Sequence, residues 1–211
     1  MNNAIGEPQG IEESLVTLLC YKSSKMSDTR LTKLLYLVDL YHAEIYGHPL
    51  TEVKFKRYFY GPWASDISRI KEVLMSKGIL REKRSKTQEG NTATVPKPAL
   101  NQVSVYLSPE AMEVADAVLN DWGNKSTNDI VAYVKTRPPF VMTSFDEEID
   151  FAKADPIAAL ARKWEQSPGE TATDIIARTP HLKDLVAKAM RQEEERKFAD
   201  PSEASALGLP I

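Results

Sequence analysis

Apolar residues recur every three to four positions along most of the chain, and this spacing predicts a mainly helical protein. A first helix is expected over residues 11–22. A second begins at Ser27 or Asp28, either of which can cap its first turn, and runs to about Tyr46. Gly47 is suited to end it, because glycine tolerates the left-handed conformation that follows a helix. The second helix is apolar over about half its circumference, so we expect it to be central.

Later helices are indicated by capping residues and by proline. Gly61-Pro62 is expected to open a third helix, since proline is favoured at the first helical position. Ser108-Pro109 should open a fourth, Ser126 to Asp129 resembles a capping box, and Asp155-Pro156 begins a further helix. The side chains predicted to face inward are Trp63, Ile67, Ile70 and Leu74 on the third helix, Met112, Ala115, Leu119 and Trp122 on the fourth, and Ile157, Leu160 and Trp164 on the last.

Three segments have the composition of β-strands: residues 53–59, 79–84 and 102–107. The last two are separated by a long polar segment, as expected for strands joined by a loop. The predicted fold class is therefore mainly α (α+β): a single helical domain with a small antiparallel β-sheet, plus a C-terminal helical extension.

The composition changes after Trp164, and we place a boundary there. Residues 1–165 are predicted to form the main domain, and residues 166–211 a linker, an amphipathic helix and a mobile tail. The helix, over residues 181–198, has one apolar stripe, formed by Leu182, Leu185, Val186 and Met190. Such a helix is marginal alone and must dock on its own domain, a second copy or a partner. We favour the partner, and expect Leu185 and Met190 to contact it.

Composition excludes several classes of protein. The net charge of −3 and the pI of about 5.7 give no global attraction to nucleic acid or to an anionic membrane. The single cysteine, Cys20, excludes an intramolecular disulfide and a cysteine-based zinc site. No apolar run approaches the ~20 residues that span a bilayer, and residues 1–10 lack a signal-peptide pattern. We expect a cytoplasmic protein without membrane partners.

Two polar residues on the second helix are candidates for chemistry. His42 lies within the apolar stripe and is interpreted as a core histidine with one hydrogen-bonded ring nitrogen, since no metal-binding spacing accompanies it. Asp39 lies beside the stripe, where it can pair with a lysine or arginine or face a partner. No second carboxylate is placed beside it by spacing, so an acid–base pair has no support.

Aromatic and basic residues suggest binding surfaces. The aromatics between residues 36 and 63 should mostly pack the junction of helix and sheet, but some can be exposed and carry interface energy. Tyr36 is expected to point away from the apolar stripe, beside Asp39 and Arg57. A basic segment, KGILREKRSK, resembles the wing of a winged helix that contacts phosphates, or an edge strand whose charges prevent aggregation.

Motifs of cofactor and nucleophile sites are absent from the sequence. It contains no dinucleotide or mononucleotide glycine-rich loop, no nucleophile elbow and no paired cysteines. The residues alone therefore indicate a helix-rich, non-catalytic binding domain without cofactors. A hydrolase with an unrecognised site is the weaker alternative.

Residues 33–62 carry a family resemblance. The order and spacing of Lys33-Leu34-Leu35-Tyr36-Leu37, Asp39, Tyr41-His42, Gly47, Pro49-Leu50-Thr51 and Tyr60-Gly61-Pro62 resemble the Panacea domain of SocA-like antitoxins. The segments around residues 107–110 and 124–140 resemble its later half more loosely. Trp63 follows the Tyr-Gly-Pro where a smaller residue is expected. The resemblance covers roughly residues 10–165.

The resemblance implies the antitoxin of a bacterial or phage toxin–antitoxin pair, with no enzymatic residues to carry over. It further implies a cognate protein toxin as partner and, where the antitoxin acts as an adaptor, a protease such as ClpXP. The alternative is a winged-helix-like DNA-binding regulator. The residues predicted to contact the partner are Tyr36, Asp39, Arg57, Tyr60, Trp63, Leu185 and Met190.

Overall fold

The computed structural model describes residues 6–23, 26–86, 92–99 and 104–199, with side chains except at 84–86, 92–95 and 196–199. The predicted fold class is confirmed: the described chain is mainly helical, with two small antiparallel hairpins. The helices are α1 (Gly10–Lys22), α2 (Asp28–Tyr46), α3 (Asp66–Ser76), α4 (Pro109–Trp122), α5 (Thr127–Val134), α6 (Pro138–Val141), α7 (Pro156–Glu165), α8 (Ala172–Arg178) and α9 (Pro180–Ala199). The strands are β1 (Lys56–Tyr58), β2 (Gly61–Trp63), β3 (Leu80–Lys86) and β4 (Thr92–Pro98), and a 3₁₀ turn covers Phe151–Lys153. No helix among the described residues is both long and apolar enough to cross a membrane.

Helix α2 is the centre of the fold, as its pattern predicted. Every residue from Arg30 to Ile45 is buried, and α1, α4, α5, α7 and α9 all pack against it. Ser27 caps its first turn by accepting a hydrogen bond from the Arg30 amide, and Gly47 ends it at φ +85°. The apolar residues of α2 form the core, but its charged residues are enclosed as well.

The buried charged side chains of α2 are bonded to other segments of the chain. Arg30 donates to the carbonyl oxygens of Trp122, Gly123 and Lys125 at the end of α4, at 2.6–2.8 Å. Lys33 donates to the carbonyl oxygen of Pro62, and burial lowers the pKa of its ammonium group to about 8. These two contacts fix α4 and the β1–β2 hairpin to the central helix.

Glu44 forms a buried ion network that joins the C-terminal part of the chain to α2. Its carboxylate is fully buried and accepts hydrogen bonds from Arg162 of α7 at 2.5 Å and from Arg137 at 3.4 Å. The Arg162 guanidinium also lies 3.6 Å from the centre of the Tyr41 ring. Because an unpaired buried carboxylate is costly, this network determines which face of α7 turns inward.

The orientation predicted for α7 is therefore wrong in part. Ala159 is its buried residue, and Arg162 faces the core to reach Glu44. Leu160 packs partly against the core, whereas Ile157 and Trp164 are exposed. Apolar spacing alone favoured the two larger side chains, and it took no account of the carboxylate on α2.

The predicted three-stranded sheet is also wrong. Gly61-Pro62 forms strand β2 instead of opening a helix, with Tyr58 paired to Gly61 and Lys56 to Trp63. Gly61 has φ +90°, and Lys33 Cε would lie 3.3 Å from a Cβ at this position. Trp63 consequently belongs to the hairpin and not to α3, which begins at Asp66.

The second hairpin uses a different partner strand from the one predicted. Strand β3 matches the predicted segment 79–84, but it pairs with β4, which lies in the polar segment expected to be a loop. Residues 104–107 form no strand, and the Tyr106 amide donates to the Ser14 hydroxyl. Residues 101–103 lie outside the described residues, as does the tail from residue 200 that was predicted to be mobile.

The C-terminal helices dock on the main domain, whereas we expected α9 to dock on a partner protein. Leu182 and Val186 are buried, and α9 packs against α2 and α7. Leu185 is half-buried and lies against Gly47, where a Cβ atom would be 3.3 Å from its side chain. Met190 is exposed. The predicted linker is short, because Thr171 and Asp174 form a capping box that starts α8. The domain boundary at residue 165 stays a prediction.

Replacing Leu182 tests whether the first half of α9 belongs to the folded core. Leu182→Ala should lower the free energy of unfolding by about 3 kcal/mol, as for other buried leucines. Met190→Ala, on the exposed part of the same helix, should change it by less than about 0.5 kcal/mol. Urea titration of both variants measures this difference. Equal small losses in the two variants would contradict the docking.

A second prediction concerns Asp39, which the sequence assigned to a surface. The carboxylate is fully buried and accepts hydrogen bonds from the amides of Leu50 and Thr51 and from the Thr51 hydroxyl, at 2.6–3.0 Å. Burial raises the pKa of Asp39 to about 6, although these hydrogen bonds act to lower it.

Asp39→Ala should therefore cost about 3 kcal/mol of folding stability, because it leaves three donors without an acceptor. Thr51→Val removes one of those donors and should cost about 1 kcal/mol. Chemical denaturation measures both values. An Asp39→Ala variant as stable as the parent protein would show that the loop after α2 does not depend on this carboxylate.

Candidate interaction surface

The β1–β2 hairpin projects an unusual number of aromatic rings from the surface. Phe59 and Tyr60 occupy its two-residue turn and are 74% and 83% exposed, and Trp63 on β2 is 47% exposed. A turn of two residues cannot bury both rings, because strand pairing at Tyr58 and Gly61 holds the backbone above the core. Exposed apolar groups of this size in a contiguous patch mark interaction sites.

Residues 141–149 extend this patch beside β1. The amide of Arg57 donates to the Glu147 carbonyl oxygen at 3.0 Å, and the Asp146 amide donates to the Arg57 carbonyl oxygen at 2.9 Å. Asp146 has φ +64°, in the left-handed region that a non-glycine residue enters at a cost. This conformation turns the chain so that Phe145 lies against the hairpin.

Four rings form a connected row, which we call the aromatic strip: Phe59, Phe145, Tyr58 and Trp63. The ring centres of Phe59 and Phe145 are 4.5 Å apart, those of Phe145 and Tyr58 are 5.4 Å apart, and those of Tyr58 and Trp63 are 5.5 Å apart. Such separations lie in the range where aromatic pairs attract each other. The strip is thus ordered by its own contacts while its outer faces remain in water.

Arg57 supports the strip from below. Its guanidinium donates to the carbonyl oxygens of Thr143 at 2.5 Å and Val141 at 3.1 Å, and it lies 5.1 Å from the centre of the Phe140 ring. These bonds fix the loop that carries Val141 and Phe145. Arg57 is half-buried by this role, so it positions the surface and presents little of its charge to a partner.

The ionisable groups in and beside the strip are hydrogen-bonded to one another. Asp146 accepts hydrogen bonds from the Tyr58 hydroxyl at 2.5 Å and from Lys56 at 3.3 Å. The bond from Tyr58, followed by that from Lys56, lowers the pKa of the Asp146 carboxyl. Asp146 is therefore an ionised acceptor with two partners, which is a poor arrangement for a general acid or base.

The residues predicted to bind a partner are divided between surface and core. Tyr60 and Trp63 lie in the exposed patch, and the half-buried Arg57 supports the same hairpin. Tyr36 is fully buried, with its ring centre 5.4 Å from that of Phe55 and 5.3 Å from that of Phe151, so its predicted exposure is wrong. Asp39 is equally buried and does not pair with Arg57. Leu185 and Met190 lie on α9.

The predicted partner contacts left out three members of the patch, namely Val141, Phe145 and Phe59, and of these only Phe59 belonged to the aromatic set that the sequence singled out. Five of the eleven large apolar side chains that are exposed in the described chain lie here, namely Phe59, Tyr60, Trp63, Val141 and Phe145, whereas Met142 of the same loop lines a separate groove. Phe59-Tyr60 directly before Gly-Pro was the available signal, since adjacent rings in a tight turn cannot both face a core. Phe145 gave no signal, because its place depends on pairing between residues 57 and 146.

The basic hairpin and the histidines were the other candidates. Arg81 and Lys83 on β3 are exposed, but Glu82 lies between them, and the side chains of Arg84 and Lys86 lie outside the described residues. His42 is buried as predicted, and its Nδ1 donates to the His48 carbonyl oxygen at 2.8 Å. No three His, Cys, Asp or Glu side chains converge as metal ligands in the described part of the chain.

Comparison with known families identifies one match. The family model of the antitoxin SocA-like, Panacea domain matches residues 31–139, just over half of the chain. No curated protein and no solved structure gave a match. The matched segment contains most of α2, both hairpins, α3, α4 and α5. Within it the motif residues contact one another, with Lys33 bonded to Pro62 and Asp39 to Thr51. The chain therefore belongs to the SocA-like antitoxin family with a Panacea domain.

Proposed function

We propose that the protein is an antitoxin that neutralises a cognate protein toxin by direct binding, with the aromatic strip at the centre of the interface. The observation that carries this proposal is the row of four contacting rings on a fixed hairpin and loop. Family membership supplies the expectation of a toxin partner. The strip supplies the type of surface that such a partner needs.

Aromatic side chains are well suited to tight, non-catalytic binding. They add large contact area while few torsions are immobilised, and they recur among the residues that dominate binding energy. Here the rings are already ordered against one another. The Arg57 guanidinium and the backbone bond from the Asp146 amide to the Arg57 carbonyl oxygen hold the chain that carries them. Little conformational entropy is then lost on binding, which favours affinity.

The ordinary alternative is that these rings are scattered surface residues without a role. Single exposed apolar residues are common and need no explanation. The distribution argues against this alternative, because Ile11, Tyr106 and Trp164 are isolated examples, whereas the patch contains five large apolar side chains together. A contiguous apolar surface exposed without a partner promotes aggregation, so its presence favours a bound state.

Substitution in the strip tests the proposal. The double change Phe59→Ala and Phe145→Ala should weaken binding to the cognate toxin by at least about 100-fold, equivalent to ~2.7 kcal/mol. Titration calorimetry measures affinity, and rescue of growth on co-expression measures neutralisation. The melting temperature should change little, because both rings are more than half exposed.

Trp164→Ala is the matched control for this experiment. Trp164 is 57% exposed, but it lies on α7 away from the strip, so its loss should leave affinity unchanged. Full neutralisation by the double variant would refute the strip as the interface. If the purified antitoxin fails to inhibit the toxin while toxin levels fall in cells, the protein acts as a proteolytic adaptor and not by masking.

A further inference from the structure

A second apolar opening lies on the other side of the loop that carries the strip. It is a groove of about 760 Å³ between α6, the start of α7 and the second half of α9. Three large apolar side chains line it and remain in water: Met142 is 56% exposed, Ile157 is 41% exposed and Met190 is 57% exposed. None of them belongs to the aromatic strip, although Met142 lies three residues before Phe145.

The rim of the groove is acidic. Asp155, Glu193 and Glu194 line it, against one cation, Lys153, among the lining residues that the structure describes. On α9 an apolar and an acidic residue of the groove lie one helical turn apart, since Met190 precedes Glu194 by four residues. Residues four apart lie on one helical face. The groove therefore has an apolar surface at its centre, and on α9 the carboxylates follow one turn beyond Met190.

We propose that this groove binds a basic amphipathic helix of the partner protein that the aromatic strip contacts. The inference rests on the proposed function for the identity of the partner. An amphipathic helix matches a groove with a helical wall, because its apolar residues at every third or fourth position meet the floor. A lysine or arginine one turn away on that bound helix then meets the carboxylates of the rim. The flexible side chains of Met142 and Met190 adapt to such a contact.

Two other occupants fit the charge less well. Residues 200–211 of the same chain carry Asp200 and Glu203 and no lysine or arginine, so they would meet the acidic rim with like charge. A second copy that docked through its own α9 would bring Glu193 and Glu194 against the same residues. Like charges in contact oppose both arrangements.

The test uses the full chain and two synthetic helical peptides as probes. Each has about 15 residues, long enough for four turns, with leucine on one face. The remaining positions are lysine and alanine in the first peptide, and glutamate and alanine in the second. Fluorescence anisotropy should show that the lysine peptide binds at least about tenfold more tightly than the glutamate peptide. Its affinity should also fall as salt is raised.

Variants of the groove locate this binding. Met190→Asp should weaken the lysine peptide at least about tenfold by placing a charge on the apolar floor, and Glu194→Lys should do so by reversing a rim charge. Trp164→Asp, on an exposed site elsewhere, is the control and should have no effect. Melting temperatures should be unchanged, since Met190 and Glu194 are both exposed.

Three results would overturn the inference. These are equal affinity for the two peptides, unchanged binding by Met190→Asp, or self-association of the parent chain that Met190→Asp abolishes, which would assign the groove to a second copy. The peptide measurement involves no toxin, so its failure leaves the proposed function standing. Failure of the strip variants to affect neutralisation would likewise leave the peptide result intact.

Discussion

The burial of α2 from Arg30 to Ile45 is the constraint on which the rest of the structure depends. This stretch is enclosed on every face although it carries Arg30, Lys33, Asp39 and Glu44. Buried charges are tolerated only when they are paired or hydrogen-bonded. Each of the four therefore requires a partner from another segment, and those partners are the end of α4, the β1–β2 hairpin, the loop after α2 and Arg162 in the last turn of α7. The polar residues of one helix thus position most of the surrounding elements.

The exposed strip follows from the same constraint. Lys33 occupies the space beneath Gly61 and bonds Pro62, so β2 is fixed against the core at its start while the turn stays outside. Arg57 directs its guanidinium to the loop at Val141 and Thr143, so the loop is fixed in the same way. The rings of Phe59 and Phe145 then stay at the surface, because the fixed hairpin and the fixed loop hold their backbones there. A rigid frame with apolar groups on its outer side favours binding with little reorganisation.

The capping signals in the sequence were reliable, whereas the Gly61-Pro62 helix start and the features that depend on distant pairing were not. Ser27, Gly47 and the Ser126–Asp129 capping box act within one helical turn, and the structure has all three as predicted. Asp39 was placed at the surface because a carboxylate is usually solvated, and the donors of Leu50 and Thr51 that bury it were not visible in the helix pattern. The strip could not be assembled either, since Phe145 reaches the hairpin only through an unusual backbone conformation at Asp146.

The exposed apolar surface is formed partly by residues inside the family match and partly by residues that follow it. Phe59, Tyr60 and Trp63 lie within residues 31–139, whereas Val141, Met142 and Phe145 follow it, and α9 lies far beyond. The matched segment is not closed on its own, because the shorter of the two ion pairs of Glu44, at 2.5 Å, is formed with Arg162 outside it. Residues after 139 therefore complete both the buried ion network and the exposed patch. Changes to these later residues can alter the partner surface while the contacts of Lys33 and Asp39 keep the central frame unchanged.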